Sequence, residues 1–369
     1  MLTGIKVLDL SRVLAGPLCT MMLGDLGAAV LKVERPNGGD ETRGWGPPFD
    51  ARGQSAYYLS VNRNKLGLAA DLDREADAAL LRRLAAEADV VVENFRPGTL
   101  ERRGLGAKAL REATPSLVWC TISGFGPGSA RPGYDFVVQA ESGWMAVTGE
   151  PDRAPMKHGI ALADVLAGKD AAVAILAALV ARGRTGDGRH VEVSLQASAE
   201  AALVNVAQNA LVSGMPPSRW GNAHANLVPY QLFDAADRAL VIAVGSDAQW
   251  RSCAAALELS ALGDETALRS NAGRLANRGH VVRAIAARVK GEPARVWIDR
   301  LEAVGVPCGL VKSVPEVLES AHGSALTGMA PSVPGTIRRP PPTLGEHSAR
   351  VRAAGWAAFA DDGMPGPKR

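Results

Sequence analysis

The sequence predicts an α/β fold: a large domain built on a doubly wound parallel sheet, joined to a smaller α+β domain. Three observations predict it. Apolar runs of strand length alternate with helical patterns through the first half of the chain, and each run ends in a polar or glycine-rich loop. The pattern changes near Asn222, where a hairpin signal and several short helices follow. With 369 residues the chain also exceeds one ordinary core.

The first unit is legible in order. Ile5 to Leu10 reads as a buried strand, Gly16-Pro17 opens a helical pattern that runs through Leu26 and stops at Gly27, and Ala29 to Val33 is a second strand. Strand, helix and strand in that length make a βαβ unit with parallel strands. A helix from Glu75 to Glu87 leads to the strand Asp89 to Asn94, and Leu117 to Ser123 gives a further strand closed by Gly124-Phe125-Gly126-Pro127-Gly128. The alanine-rich run Ala171 to Ala181 reads as a buried helix, Arg182 to Arg189 as a loop, and His190 to Leu195 as a strand. This is a Rossmann-like pattern, with its site expected at the carboxyl ends of the strands. A long helix over Ala197 to Val212 then stops at Gly214 and Pro216-Pro217.

The second unit opens with a hairpin, Tyr230 to Phe233 and Ala239 to Val244 around a turn at Asp234 to Arg238, and holds a short strand near Cys308 to Val311. The expected division is residues 1–196 as the large domain, 197–221 as a linker helix, 222–334 as the small domain, and 335–369 returning to the first. Asp361 to Arg369 reads as a loose end.

Composition narrows the function. Hydrophobic residues make up 47% and charged residues 21%, enough apolar material to bury a core along most of the chain. A net charge of +3 argues against a nucleic-acid binder. Cys19, Cys120, Cys253 and Cys308 are scattered without metal-ligand spacing, so neither a disulfide framework nor a zinc site is indicated and a reducing cytoplasm is expected. Met1 runs straight into the first strand without the pattern of a secretory leader, and the longest apolar stretch is too short to span a bilayer, so no membrane association is expected.

Which residues carry chemistry is less settled by pattern. Asp164 sits among apolar and small residues, Gly159 to Gly168, just ahead of the alanine-rich helix. It is either a helix cap or a nucleophile; spacing alone favours the cap, while the small neighbours leave room for a substrate carbonyl. At a helix N-terminus it should be ionised at neutral pH, so a strongly raised pKa would count against it as a nucleophile. Arg35, Arg43, Lys65, Arg96, Arg102 and Arg103 are placed at or after strand ends, where an anionic ligand would lie, although single surface cations are ordinary. No Gly-x-Gly-x-x-Gly follows the first strand, Glu34 alone is a weak ribose ligand, and Gly124 to Gly128 reads as a simple turn, so a nicotinamide-dependent oxidoreductase is disfavoured. His224, in the polar loop Asn222 to Asn226, joins no triad or metal pattern.

A resemblance goes further. Gly4 to Ser11, Ala15-Gly16-Pro17, Gly24 to Ala28, Lys32-Val33-Glu34-Arg35-Pro36, Gly39-Asp40, Asn64-Lys65, Val92 to Gly98, Gly124-Phe125-Gly126, Gly133-Tyr134-Asp135, Thr185 to Gly188 and Gly305 to Gly309 resemble, in order, the class III CoA-transferases. This is the CaiB/BaiF family typified by formyl-CoA transferase. Each fragment is weak alone; the ordered set spans nearly the whole chain and is specific.

The resemblance implies that Asp164 is the nucleophile. It assigns CoA binding to Leu14, Ala15, Arg35, Asn94, Phe95, Arg102, Tyr134 and Asp135, and substrate contacts to Asn222, His224 and Tyr230. It further implies an acyl-CoA and a small carboxylic acid as partners, CoA as substrate with no permanently bound cofactor, and an interlocked, ring-like homodimer. Leu14 replaces a glutamine of the formyl enzyme, and Asn222 to Gln231 stands where that enzyme has a glycine tetrad, which argues against oxalate. The segment Gly221 to Phe233 is similar to that of members using succinyl-CoA with dicarboxylic acids. The family's racemases are the rival reading, but Tyr134 stands at their second proton-transfer position and Val165-Leu166-Ala167 replaces their glycine run. A catalytically silent CoA-binding protein is the other alternative.

Overall fold

The computed structural model describes residues 1–362, so part of the end expected to be loose, Asp361 to Arg369, lies outside the described residues. The described chain divides into two compact units: residues 1–144, 157–214 and 321 onward form the larger, and 145–156 with 215–320 the smaller.

The larger unit is organised by a six-stranded sheet of β1 (Lys6–Asp9), β2 (Ala29–Glu34), β3 (Lys65–Ala69), β4 (Val90–Glu93), β5 (Val118–Ser123) and β6 (His190–Ser194). Its order is β3-β2-β1-β4-β5-β6, and every neighbouring pair is parallel. Its helices up to residue 214 are α1 (Ala15–Asp25), α2 (Ala56–Ser60), α3 (Glu75–Ala86), α4 (Ala107–Ala113), α5 (Asp135–Glu141), α6 (Trp144–Val147, at the boundary of the units), α7 (Leu162–Thr185), α8 (Leu195–Ala201) and α9 (Val204–Ser213), and a further helix spans Ser348–Ala354. Both sheet faces are covered, which explains strands that read as continuous apolar runs. Leu8, Leu31, Leu66, Val91 and Trp119 point to the layer holding α3 and the C-terminal Trp356 and Phe359. The alternate residues Val7, Val30, Val90, Val92 and Cys120 point to the layer of α1 and α7.

Three elements depart from expectation. Strand β3 escaped the pattern because Lys65 opens it and Gly67 interrupts it; a Cβ on Gly67 would stand 3.1 Å from Pro342. The alanine-rich helix buries only a stripe, Ala163, Ala167, Ala171, Ala172, Ile175 and Ala178, while Val173 and Val180 on its other side are exposed. The helix expected over Ala197 to Val212 is two helices, α8 and α9, broken where Val204 takes φ 36°.

The smaller unit is an antiparallel sheet of β7 (Tyr230–Asp234), β8 (Ala239–Ala243) and β9 (Cys308–Leu310), in that order, with helices packed against it. Trp250, Trp297, Ile285, Val289 and Leu301 fill its core. All four cysteines are free thiols. Among the described residues no helix is long and apolar enough to cross a membrane.

Candidate active site

The sheet order reverses between β1 and β4: the chain leaves β1 toward β2 and later returns to β4 on the other side. Such a switch point opens a crevice at the strand carboxyl ends. A cavity of about 560 Å³ occupies that position in the larger unit, walled by the loop after β1, the loop after β4, the glycine-rich loop after β5, and Asp164.

Asp164 lies in the first turn of α7 and does not cap it. Ala161 stands at the cap position and offers no side-chain acceptor. The cap comes from α5 instead, where Asp135 Oδ1 accepts the backbone N–H of Ala163 at 2.8 Å and of Asp164 at 3.4 Å. The Asp164 carboxylate is left to face the cavity, whose wall it shares with Ala15. Gly168 makes this approach possible, since a Cβ there would stand 2.6 Å from the Ala15 carbonyl oxygen.

The expectation of an ordinary ionised carboxylate is not met. Burial, then the negative charge of Asp135, pushes Asp164 up to about 7, with only the Ala15 N–H acting in the opposite sense. The helix terminus fails to hold the anion because Asp135 already takes its donors. Tyr57 on α2 is also near; burial followed by the charges of Asp164, Asp135 and Asp40 pushes its phenol up to about 12. Nothing in the spacing singled out Tyr57, which stacks edge-on against Trp45 at 5.0 Å.

Of the residues assigned to CoA, Ala15, Asn94, Phe95 and Tyr134 share the cavity wall with Asp164. Asp135 sits at the root of α7. Leu14 is the residue preceding α1, Arg35 is exposed and donates to Gly39 O at 2.9 Å, and Arg102 is exposed on a short 3₁₀ turn, all three outside the cavity lining. Asn222, His224 and Tyr230 belong to the smaller unit, where the His224 and Tyr230 rings lie 5.1 Å apart.

The cationic cluster resolves into two groups. Lys65 begins its strand rather than ending one, is fully buried, and donates to Asp9 at 3.0 Å; burial brings it down to about 8. Arg43 pairs with Glu34 at 2.7 Å and covers the Tyr58 ring, which also accounts for Glu34 without a ribose. Arg103 pairs with Asp73 at 2.7 Å. These three hold the fold. Arg96 alone of the six lines the cavity.

Two features of the wall escaped sequence reasoning. The Gly124 to Gly128 turn is part of a loop reaching Gly133, closed by Gly124 against Gly133 so tightly that a Cβ on Gly124 would meet the Gly133 Cα at 2.4 Å. The polar face of β4, β5 and the edge strand β6 is the second: Thr121 donates to Glu93 at 2.6 Å and lies 2.9 Å from His190 Nε2. Alternation in the run Trp119, Thr121 and Ser123 carried that signal.

Comparison with known proteins bears on this geometry. The CoA-transferase family III profile matches residues 2–348. Succinate–glutarate CoA-transferase of Agrobacterium fabrum is 41% identical over 379 residues, with 95% of each chain covered. Mouse succinyl-CoA:glutarate CoA-transferase is 40% identical, covering 95% of this chain and 85% of its own. A CaiB/BaiF family protein of Brucella suis superposes with a TM-score of 0.83 at 38% identity, over 95% of this chain and 98% of that one. With a doubly wound sheet, a cavity at its switch point and a profile match over nearly its whole length, the chain belongs to CoA-transferase family III.

Proposed function

We propose that this CoA-transferase moves CoA from succinyl-CoA to a dicarboxylic acid of glutarate's class, with Asp164 as the nucleophile. The donor and acceptor are suggested by the relatives' activities. The assignment of Asp164 is carried by one observation: its carboxylate is free of capping and lines the switch-point cavity beside Ala15.

The reaction proceeds by exchange at two carbonyls. An Asp164 oxygen attacks the succinyl thioester carbon, the C–S bond breaks, and an aspartyl–succinyl anhydride and CoA thiolate result. The thiolate attacks the Asp164 carbonyl carbon and expels succinate, leaving an aspartyl-CoA thioester. The acceptor carboxylate attacks that thioester and expels thiolate, which then attacks the acceptor's acyl carbon and frees Asp164. Each intermediate stays activated, so the thioester's free energy reaches the acceptor provided water is kept out. Only the ionised carboxylate attacks, so the upward push on Asp164 to about 7 counts against this role near neutral pH and makes transfer fall as pH drops below that value. Oxyanions formed at each attack need fixed N–H donors, and the turn after β1 is the candidate source.

The polar loop Asn222 to Asn226 and Tyr230 serve the acceptor in this reading, and the active species is an interlocked homodimer. Light scattering giving the mass of one chain contradicts the dimer. Turnover with succinyl-CoA across a panel of mono-, di- and hydroxy-dicarboxylic acids tests the substrate class; glutarate-length diacids should lead, and no transfer to any diacid overturns it.

A further inference from the structure

The loop Ser11 to Ala15, which carries the N–H facing Asp164, is held by side chains from three other segments. Ser11 N donates to Asp9 Oδ1 at 3.0 Å, and Ser11 O accepts from Lys32 Nζ at 3.0 Å. Arg12 is held at both backbone groups by one amide: its N–H donates to Asn94 Oδ1 at 3.0 Å, and Asn94 Nδ2 donates back to its carbonyl at 2.7 Å. Val13 N donates to Asp40 Oδ2 at 3.2 Å. Asp40 is fixed in turn by Lys32 Nζ at 3.0 Å, the two side chains fully buried, and by the Thr42 N–H.

The loop needs holding. Val13 has φ 72°, a left-handed conformation that a β-branched residue adopts only under constraint. The chain also doubles back so closely that a Cβ on Gly16 would stand 2.3 Å from the Ser11 Cβ. Without its clamps the loop would relax toward ordinary φ and re-aim the donors at the start of α1.

We propose that Asn94, together with the buried Lys32–Asp40 pair, is a positioning residue that holds the 11–15 loop so that the Ala15 N–H meets the Asp164 carboxylate. One lone pair and one N–H of its amide are committed to Arg12, so in this proposal the side chain acts through the loop rather than on CoA, unlike the role the family resemblance gives it. The inference rests on the reading of Asp164 as nucleophile.

The test is steady-state kinetics of Asn94→Ala with succinyl-CoA and glutarate, beside Asp164→Asn. A positioning role predicts that kcat falls about tenfold or more, the loss expected when one hydrogen bond to a charged group is misaligned. KM for succinyl-CoA stays within about twofold, as for an interaction that acts on the reaction step alone. The rising limb of kcat against pH moves to higher pH, since Asp164 loses a donor that favours its anion. Asp135 and Tyr57, on α5 and α2, lie outside the loop and remain in place, while Arg12, paired with Glu41 at 2.6 Å on the cavity wall, shifts with the loop. Asp40→Asn should give the same kinetic signature; if it leaves Lys32 too poorly paired to fold, Asn94→Ala, which strands no charge, carries the test. A raised KM with kcat intact makes Asn94 a direct CoA ligand and overturns the proposal. A lowered melting temperature with unchanged kcat, KM and pH profile makes it structural and overturns it equally. Transfer retained by Asp164→Asn overturns both this proposal and the nucleophile reading; transfer lost there with KM raised in Asn94→Ala overturns this one alone.

Discussion

Asp135 caps the helix that carries Asp164, accepting the N–H groups of Ala163 and Asp164 with one carboxylate oxygen. The same charge is, after burial, the main cause lifting Asp164 to about 7. One acid therefore orients the other and keeps it near its titration point. Asp135→Asn separates the two effects, since asparagine caps as well as aspartate but carries no charge. The limb of kcat/KM that rises with pH near 7 should shift down by on the order of one pH unit. A pH–rate series with wild type and variant checks it; an unmoved limb means that Asp164 does not set it.

A carboxylate pushed up by the fold destabilises that fold once ionised. Unfolded, Asp164 titrates near 3.8; folded, it titrates near 7. Its protonated form costs nothing below the first value, and the penalty grows as pH rises between the two, then stays constant. Asp164→Asn should therefore stabilise the protein by about 2 kcal/mol above pH 7, a figure reduced for the group's partial exposure, with the gain vanishing as pH falls below 4. Urea denaturation across that range reads the difference directly. A gain independent of pH contradicts the raised titration.

Gly168→Ala tests the packing that brings α1 to α7. Alanine favours a helix interior by about 1 kcal/mol over glycine, which taken alone would stabilise. Here the new Cβ meets the Ala15 carbonyl oxygen at 2.6 Å, a backbone atom that cannot step aside. The clash should win, costing about 1–3 kcal/mol, and kcat should fall as Ala15 is displaced from Asp164. Thermal denaturation with parallel kinetics shows which term dominates.

Lys65→Met addresses the buried charges beneath the site. Lys65 and Asp9 are both fully buried and 3.0 Å apart, and Asp9 is held down at about 2 although burial opposes it. Removing the lysine leaves the anion with Lys32, Ser11 and Thr20 as remaining support, so the cost should be about 3 kcal/mol, the low end for breaking a buried pair. Lys65→Met combined with Asp9→Leu should cost less than the single change. Equal or greater loss in the double variant means the pair is not the source.

The sheet was legible because its strands are buried on both faces and read as apolar runs, and the site's position followed from parallel strands with glycine-rich loops at their ends. Strand β3 was not, since Lys65 and Gly67 belong to its contacts rather than to its pattern. Asp164 stood out for its small neighbours, yet its perturbation was invisible: it depends on burial and then on Asp135, twenty-nine residues away and brought close only by the fold. Cations were misleading for the same reason, because Arg43 and Lys65 look like ligand-binding residues until Glu34 and Asp9 are seen beside them. The bond between Asn94 and Arg12 crosses the switch point, which no local spacing records.

The most direct measurement is peptide mass spectrometry of the protein mixed with succinyl-CoA and quenched with hydroxylamine, which converts an aspartyl thioester or anhydride to a hydroxamate. The result expected is a hydroxamate at Asp164 that appears only after acyl-CoA is added. Modification at another carboxylate, or none anywhere while transfer proceeds, would contradict Asp164 as the residue that carries the acyl group and CoA in turn.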